Sequence, residues 1–315
     1  MIYGNFEVGS PVLCELILSA PLQRMKGIAQ LGLPDEYFHT KGFNRFEHCV
    51  GVMLLLKKLG ASEEEQVAGL LHDVSHTAFS HVIDWVVGTG ETEDYQDLTH
   101  ADYIKRTVIP DILARHGFDV DRICDYHNFG LLERKAPDLC ADRADYTFRE
   151  MGSGRDMGIL DDLIGNLIIQ DGRIIFCSQT QALIFARHYL NLQIDNWGGF
   201  ESYNYYRVMA AALKRAIKIG ALVFDDLWQD DQHCLDKLIA SGDEEILRLL
   251  AMLRHGTLRG LPVTGERVPK KFRCVDPLYF VDGRLERLSE HHQEFKKELE
   301  SARAENALGV EMVAL

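Results

Sequence analysis

No apolar run in the chain approaches the roughly 18 residues of a membrane span, and its start, MIYGNFEVGS, has neither the basic residues nor the apolar core of a secretion signal. A cytoplasmic protein with no membrane partner is the expectation. Positive charge is scarce: 34 Lys and Arg stand against 48 Asp and Glu, a net charge of -14. That balance argues against general nucleic-acid binding, which needs a basic footprint. The seven cysteines, Cys14, Cys49, Cys124, Cys140, Cys177, Cys234 and Cys274, are widely spread, odd in number and form no C-x-x-C. They read as reduced thiols, against a disulfide framework or a structural zinc site. No Walker A motif occurs, and Gly152-Ser153-Gly154 followed by Gly158 misses the G-x-G-x-x-G spacing, so no phosphate loop is assigned. Internal repeats, low-complexity segments and a clear linker are also missing from the 315 residues, enough chain to bury roughly three quarters of its unfolded surface.

What the sequence does contain is helix signal, and the expected fold class is mainly α with small β-hairpin elements in the C-terminal half. Ser10-Pro11 is a cap followed by a proline at the first helical position, and Pro21 restarts a helix that Gly32 can close. Val52, Leu55, Leu56 and Leu59 make a core stripe after FNRFEHC. Ser62 and Glu65 suit a capping box for the next helix, Leu98 to Gly117 is helical with a break at Pro110, and Pro137 is expected to open a helix through PDLCADRADYTFREMG. Further helices are expected over residues 180–191, 200–219, 225–241 and 244–254. Asp171-Gly172 and Asp282-Gly283 each mark a hairpin. The tail SARAENALGVEMVAL is expected to be a frayed helix or a docking peptide. Residues 1–220 read as the main helical domain and 221–315 as an extension on the same core.

The chemistry concentrates in AGLLHDVSHTAFSHVIDW, residues 68–85. His72 and Asp73 follow an apolar run directly. Adjacent residues on an ideal helix point about 100° apart, so both can reach one ion only at a helix end or distortion. His76, His81 and Asp84 follow, with His76 expected one turn beyond His72 on the same helix face. A buried helix should carry almost none of these groups unless they are paired or bind a metal. His72 and Asp73, with His48 and with Asp142 on a later helix that also carries Asp145 and Tyr146, make a set of two imidazoles and two carboxylates. Such a set suits a divalent cation such as Mn, Fe, Mg, Co or Ni. The chemistry of a cation of that kind is phosphate-ester hydrolysis, with His76, His81, His100 and Asp84 available for proton transfer beside it.

RFEHCVGV, then LLHDVSHTAFSHVID, then DRADY resembles the HD-domain metal-dependent phosphohydrolases. In its longer form the pattern is similar to the deoxynucleoside triphosphate triphosphohydrolases, the group of bacterial dGTPases and the human SAM-and-HD enzyme, as is APLQRMKGIAQLG upstream. The resemblance implies His48, His72, Asp73 and Asp142 as metal ligands. It implies His76, His81 and Asp84 as the acid/base and phosphate-contacting group, His100 as a further phosphate contact, and Arg45 and Arg143 beside the phosphates. Gln30 and Leu31 match positions that meet the sugar, Tyr146 one that packs on it, and Tyr203 and Asn204 a pair that lines the nucleoside pocket. The implied reaction yields nucleoside and tripolyphosphate, and the resemblance also implies a homo-oligomer. The H-D-x-G-K and G-Y-P signatures of cyclic dinucleotide phosphodiesterases are missing, since His72-Asp73 continues as VSH. A phosphomonoesterase acting on a nucleotide or another small phosphorylated metabolite is the neighbouring reading. A nucleotide-binding or partner-docking module without catalysis is the reading from a different class.

Overall fold

The computed structural model describes residues 2–4, 7–152 and 157–315; Ser153 and Gly154 of the rejected phosphate loop lie outside them. Helix α1 (Pro11–Leu18) starts as its sequence requires, with the Ser10 hydroxyl accepting Leu13 N–H, and α2 (Ala20–Arg24) follows at Pro21. Helix α3 (Arg45–Lys58) opens with a reciprocal cap between Asn44 and Glu47. After α4 (Glu63–Leu71) come α5 (Val82–Val87), α6 (Tyr95–Lys105), α7 (Ile109–Arg115) and α8 (Val120–Cys124), with Pro110 in the first turn of α7. Helix α9 (Ala141–Gly152) begins four residues later than Pro137 suggests, since residues 136–138 form a turn and bend and 139–140 belong to no element. Then come α10 (Met157–Gly165), α11 (Gln179–Leu192) and α12 (Phe200–Lys218). The single helix expected over 225–241 is instead a 3-10 turn, Phe224–Trp228, followed by α13 (Asp231–Ala240), which Asp230 caps. Helices α14 (Glu244–Leu253), α15 (Leu288–His291) and α16 (Gln293–Asn306) complete the set.

Two apolar clusters hold these helices. One joins Val52, Leu55 and Leu56 of α3 to Val67 and Leu70 of α4, Phe148 of α9 and Phe185 of α11. The other gathers Val208, Met209 and Leu213 of α12 with Ile83 of α5, Leu238 of α13 and Leu250 of α14. The metal-candidate residues of α3, the α4 end and α9 therefore stand on the first core.

The strands are β1 (Leu167–Gln170), β2 (Arg173–Phe176), β3 (Val263–Val268), β4 (Leu278–Val281), β5 (Arg284–Arg287) and β6 (Val310–Val313). Both Asp-Gly hairpins form, with positive φ at Asp171, Gly172, Asp282 and Gly283 as such turns demand. They join into one sheet of order β1-β2-β4-β5 through a parallel contact at Phe176 and Tyr279. The tail departs from expectation: α16 is followed by β6, which pairs antiparallel with β3. Asn204 fixes this strand by accepting Val313 N–H at 2.8 Å and donating to the Glu311 carbonyl at 3.0 Å. No helix among the described residues is long and apolar enough to cross a membrane.

Candidate active site

Helix α4 ends at Leu71 with His72 as its cap residue, so the adjacent His72 and Asp73 turn toward the same point. Beyond them residues 72–81 are a run of turns, and His76 is not one helical turn past His72. Phe79 and Ser80, both buried and neither a glycine, take positive φ of 60° and 50°. Such conformations cost about 1–2 kcal/mol each and persist where the surroundings over-determine them. Here Ala78 N–H donates to the Leu227 carbonyl at 2.8 Å, and Asp231 accepts Phe79 N–H at 2.7 Å and Ala29 N–H at 2.8 Å. Ser80 Oγ donates to the Ala29 carbonyl and accepts from Arg45 Nε, each at 2.7 Å. Truncating Asp231 to Ala orphans the buried Phe79 N–H and the half-buried Ala29 N–H, and urea unfolding is expected to register a loss of about 3 kcal/mol.

His48, on the first turn of α3, has Nδ1 2.7 Å from Asp145, which lies one turn past Asp142 on α9. Tyr3 and Arg149 also donate to Asp145, each at 2.7 Å. Gly51 makes this approach possible: a Cβ there would come within 2.1 Å of Asp145 Oδ1 and Arg149 Nη2. His72 Nδ1 is 2.8 Å from the Gly69 carbonyl, to which it donates. With both Nδ1–H groups engaged, the two Nε2 atoms face each other at 3.2 Å. Asp142 Oδ1 stands 3.0 Å from His48 Nε2 and 3.4 Å from His72 Nε2, and Asp73 lies 3.6 and 3.5 Å from them. Nitrogen and oxygen lone pairs converge on one point. Such a set is stable only around positive charge. His72 records the same demand: burial favours its neutral form, yet Asp73 and Asp142 outweigh it and push the imidazole up to about 9. Ligand atoms of His48, His72 and Asp73 lie within 4.8 Å of one another. The residues fit a divalent cation, and each histidine is oriented through its second nitrogen as metal-binding imidazoles are. Replacing Asp145 by Asn is expected to weaken metal binding about 10- to 100-fold, measured by competition with a chromogenic chelator.

Arg45, 2% exposed, pairs with Asp73. That pair holds the Asp73 carboxyl well below the usual carboxylate range against the opposing effect of burial. His76 Nε2 lies 3.3 Å from Asp73, while its buried Nδ1 has no partner among the described residues. Burial, with Arg45 next, depresses His76 to about 3, so the ring is neutral. Its ring stands 5.0 Å from that of His81, whose Nδ1 is 3.3 Å from Asp84. Thr89 Oγ1 and Tyr95 N–H orient Asp84 at 2.9 and 3.0 Å. His100 is held by Ser75 at 2.9 Å with its ring against Tyr126, and burial depresses it to about 3.

The cluster opens into a cavity of about 870 Å³, a size suited to a nucleotide. Gln30, Leu31, Arg45, His72, Asp73, His76, His81, Asp142, Arg143 and Tyr146 line it. His48, Asp84 and His100 stand behind this wall. Arg143 already donates to Glu133 at 2.7 Å, and Tyr146 shares a hydroxyl contact with Tyr189. Tyr203 and Asn204 lie outside the lining: Tyr203 packs edge-on against Trp85 and accepts Lys271 N–H, and Asn204 fastens β6. Tyr206, one turn further along α12, reaches the wall instead and donates to the Leu31 carbonyl at 2.9 Å. Gly32, with φ of 95°, leaves room for that ring, which a Cβ would meet at 2.5 Å.

Residues 45–150 match the HD domain family. Along 98% of the chain and 96% of the relative, it is 38% identical to the uncharacterized protein YdhJ of Bacillus subtilis. It is 34% identical to the metal-dependent phosphohydrolase cns2 of Cordyceps militaris, across 88% of the chain and 82% of the relative. The chain belongs to the HD-domain metal-dependent phosphohydrolases. Human deoxynucleoside triphosphate triphosphohydrolase SAMHD1 is 36% identical over 98 residues, 26% of this chain and 16% of that protein. A solved structure of a hypothetical protein from Aquifex aeolicus shares the fold with a TM-score of 0.65, covering 96% of this chain and 97% of that one at 20% identity. Members of this family are metal-dependent, and His48, His72 and Asp73 form a potential metal site in this chain. Asp145, Ser80 and Asp231 escaped the sequence reading as site residues because they act through another side chain or a backbone N–H. For Asp145 the signal was present, one turn from Asp142. Asp231 carried none, being remote in sequence.

Proposed function

We propose that this phosphohydrolase acts on nucleotides, hydrolysing deoxynucleoside triphosphates to nucleoside and tripolyphosphate. The observation that carries the reading is the assembly of the resembling positions, Gln30, Leu31, Arg45, His76, His81 and Tyr146, around one nucleotide-sized cavity beside the His48, His72 and Asp73 cluster, with Asp142 against its two histidines. A cation held by those four residues, whether Mn, Fe, Mg, Co or Ni, would polarise a phosphoryl oxygen and lower the pKa of a water. His81, with Nδ1–H directed to Asp84, keeps Nε2 as a proton acceptor for water attacking the phosphorus next to the sugar oxygen. His76 lies on the cavity wall with Nε2 directed to Asp73, and His100 supports the floor through Ser75. Arg143 would meet the phosphates and Tyr146 the sugar. Residues 1–220 would form the hydrolase domain, with 221–315 as its extension.

A second reading, a phosphomonoesterase acting on a nucleotide or another small phosphorylated metabolite, is favoured by the relative cns2. It is similar along most of the chain and is named only a metal-dependent phosphohydrolase. The experiment that separates the two is product analysis with each metal in turn against deoxynucleoside and ribonucleoside triphosphates and monophosphates, with Asp73→Ala as control. Nucleoside plus tripolyphosphate is expected. Orthophosphate from monophosphates alone would install the second reading.

A further inference from the structure

Lys271 and Arg273 reach the cavity wall from an extended segment between β3 and β4, far from the matched residues 45–150. The segment is neither helix nor strand, yet its backbone is pinned. Lys271 N–H donates to the Tyr203 hydroxyl at 3.0 Å, the Lys271 carbonyl accepts from Gln193 at 3.0 Å, and the Lys270 carbonyl accepts from Asn306 at 2.9 Å. Both side chains are thus positioned without a ligand.

A guanidinium has five N–H donors. Among the described residues Arg273 finds a side-chain or backbone acceptor only for Nη2, in Glu93. Lys271 Nζ donates to the Thr92 carbonyl at 3.0 Å and lies 3.8 Å from the same Glu93 carboxylate. Glu93 is 4% exposed at its side chain, so one buried carboxylate faces two cations. Asp97, exposed on the rim, forms no ion pair with either among the described residues. The group is left with net positive charge and spare planar donors on the wall of a cavity in a chain of net charge -14. Planar, multiply donating guanidinium groups match phosphate geometry, and local positive charge is what an acidic protein needs to admit an anion.

We propose that Arg273 and Lys271 form a phosphate subsite that binds the substrate's phosphates beyond the one attacked, so that the C-terminal part of the chain completes the site. This deepens the phosphohydrolase reading and rests on it. The test is calorimetric titration of the full, metal-loaded chain in excess metal with inorganic tripolyphosphate, alongside metal analysis and thermal unfolding. Arg273→Ala and Lys271→Ala are each expected to weaken tripolyphosphate binding at least tenfold without lowering metal content. Should Arg273→Ala fail to fold with Glu93 unpaired, the Glu93→Gln/Arg273→Ala double variant removes both charges and gives the same readout. Tripolyphosphate binding of wild-type strength in the folded variants, or none in the wild type, would overturn the proposal. The same proteins assayed for nucleotide products separate the two inferences. Arg273-dependent binding without turnover of any triphosphate sinks the triphosphohydrolase reading and keeps the subsite. Equally efficient turnover in wild type and variants sinks the subsite and keeps the activity.

Discussion

His72→Ala and Asp73→Ala are expected to lose the bound metal and at least about 10³-fold in activity, which corresponds to about 4 kcal/mol of transition-state stabilisation. Each substitution removes one donor from a cluster whose other members, His48 and Asp142, are held in place by separate elements. What remains is a site with too few donors for a cation that must also bind substrate. His72→Ala should keep the fold, because the apolar clusters that carry α3, α4 and α9 do not include this side chain; Asp73→Ala also leaves the buried Arg45 unpaired, so its folding is checked by urea unfolding before its activity is read. Metal analysis on gel-filtered protein and a phosphate-ester assay check both parts. Full metal occupancy with full activity in either variant would remove the cluster from the mechanism. Chelation of the wild-type protein should reproduce the loss and re-addition of metal should reverse it.

Arg45→Ala should act chiefly on stability, and through charge. Arg45 is nearly inaccessible, pairs with Asp73 and donates to Ser80 at 2.7 Å. Its removal leaves a buried carboxylate uncompensated in metal-free protein, a defect worth about 3–5 kcal/mol. A cation in the cluster would take over part of that neutralisation. The expected result in urea unfolding is a large loss without metal and a smaller one in saturating metal, since a ligand that binds only the native state stabilises it. A loss that is small, or the same with and without metal, would mean that Arg45 does not neutralise Asp73.

How much was readable in advance follows from which interactions are local. His72-Asp73 at a helix end required one apolar run and one adjacent pair, and α4 indeed stops at Leu71. Asp142 and His48 were reachable through motif spacing although 94 residues separate them. Residues 72–81 were not readable as turns, because the periodic pattern of histidines mimics a helix while the conformation is imposed by Asp231 and Leu227 from far along the chain. The same non-locality hid the parallel β2 to β4 contact and the β3 to β6 pairing, whose partners are remote from each other in sequence. Tyr203 and Asn204 carry the right residue types for a nucleoside pocket, yet the rotation of α12 directs Tyr206 to the wall instead. Lys271 and Arg273 open a stretch that reads only as the run into the Asp282-Gly283 hairpin, with no motif in it to mark a site.

The most direct measurement is hydrolysis of a deoxynucleoside triphosphate by the metal-loaded protein in ¹⁸O-labelled water, with the products resolved by mass spectrometry. Attack on the phosphorus next to the sugar oxygen predicts one labelled oxygen in tripolyphosphate and none in the nucleoside. Label in the nucleoside, or label confined to orthophosphate released from the end of the chain, would contradict the reaction proposed for this site.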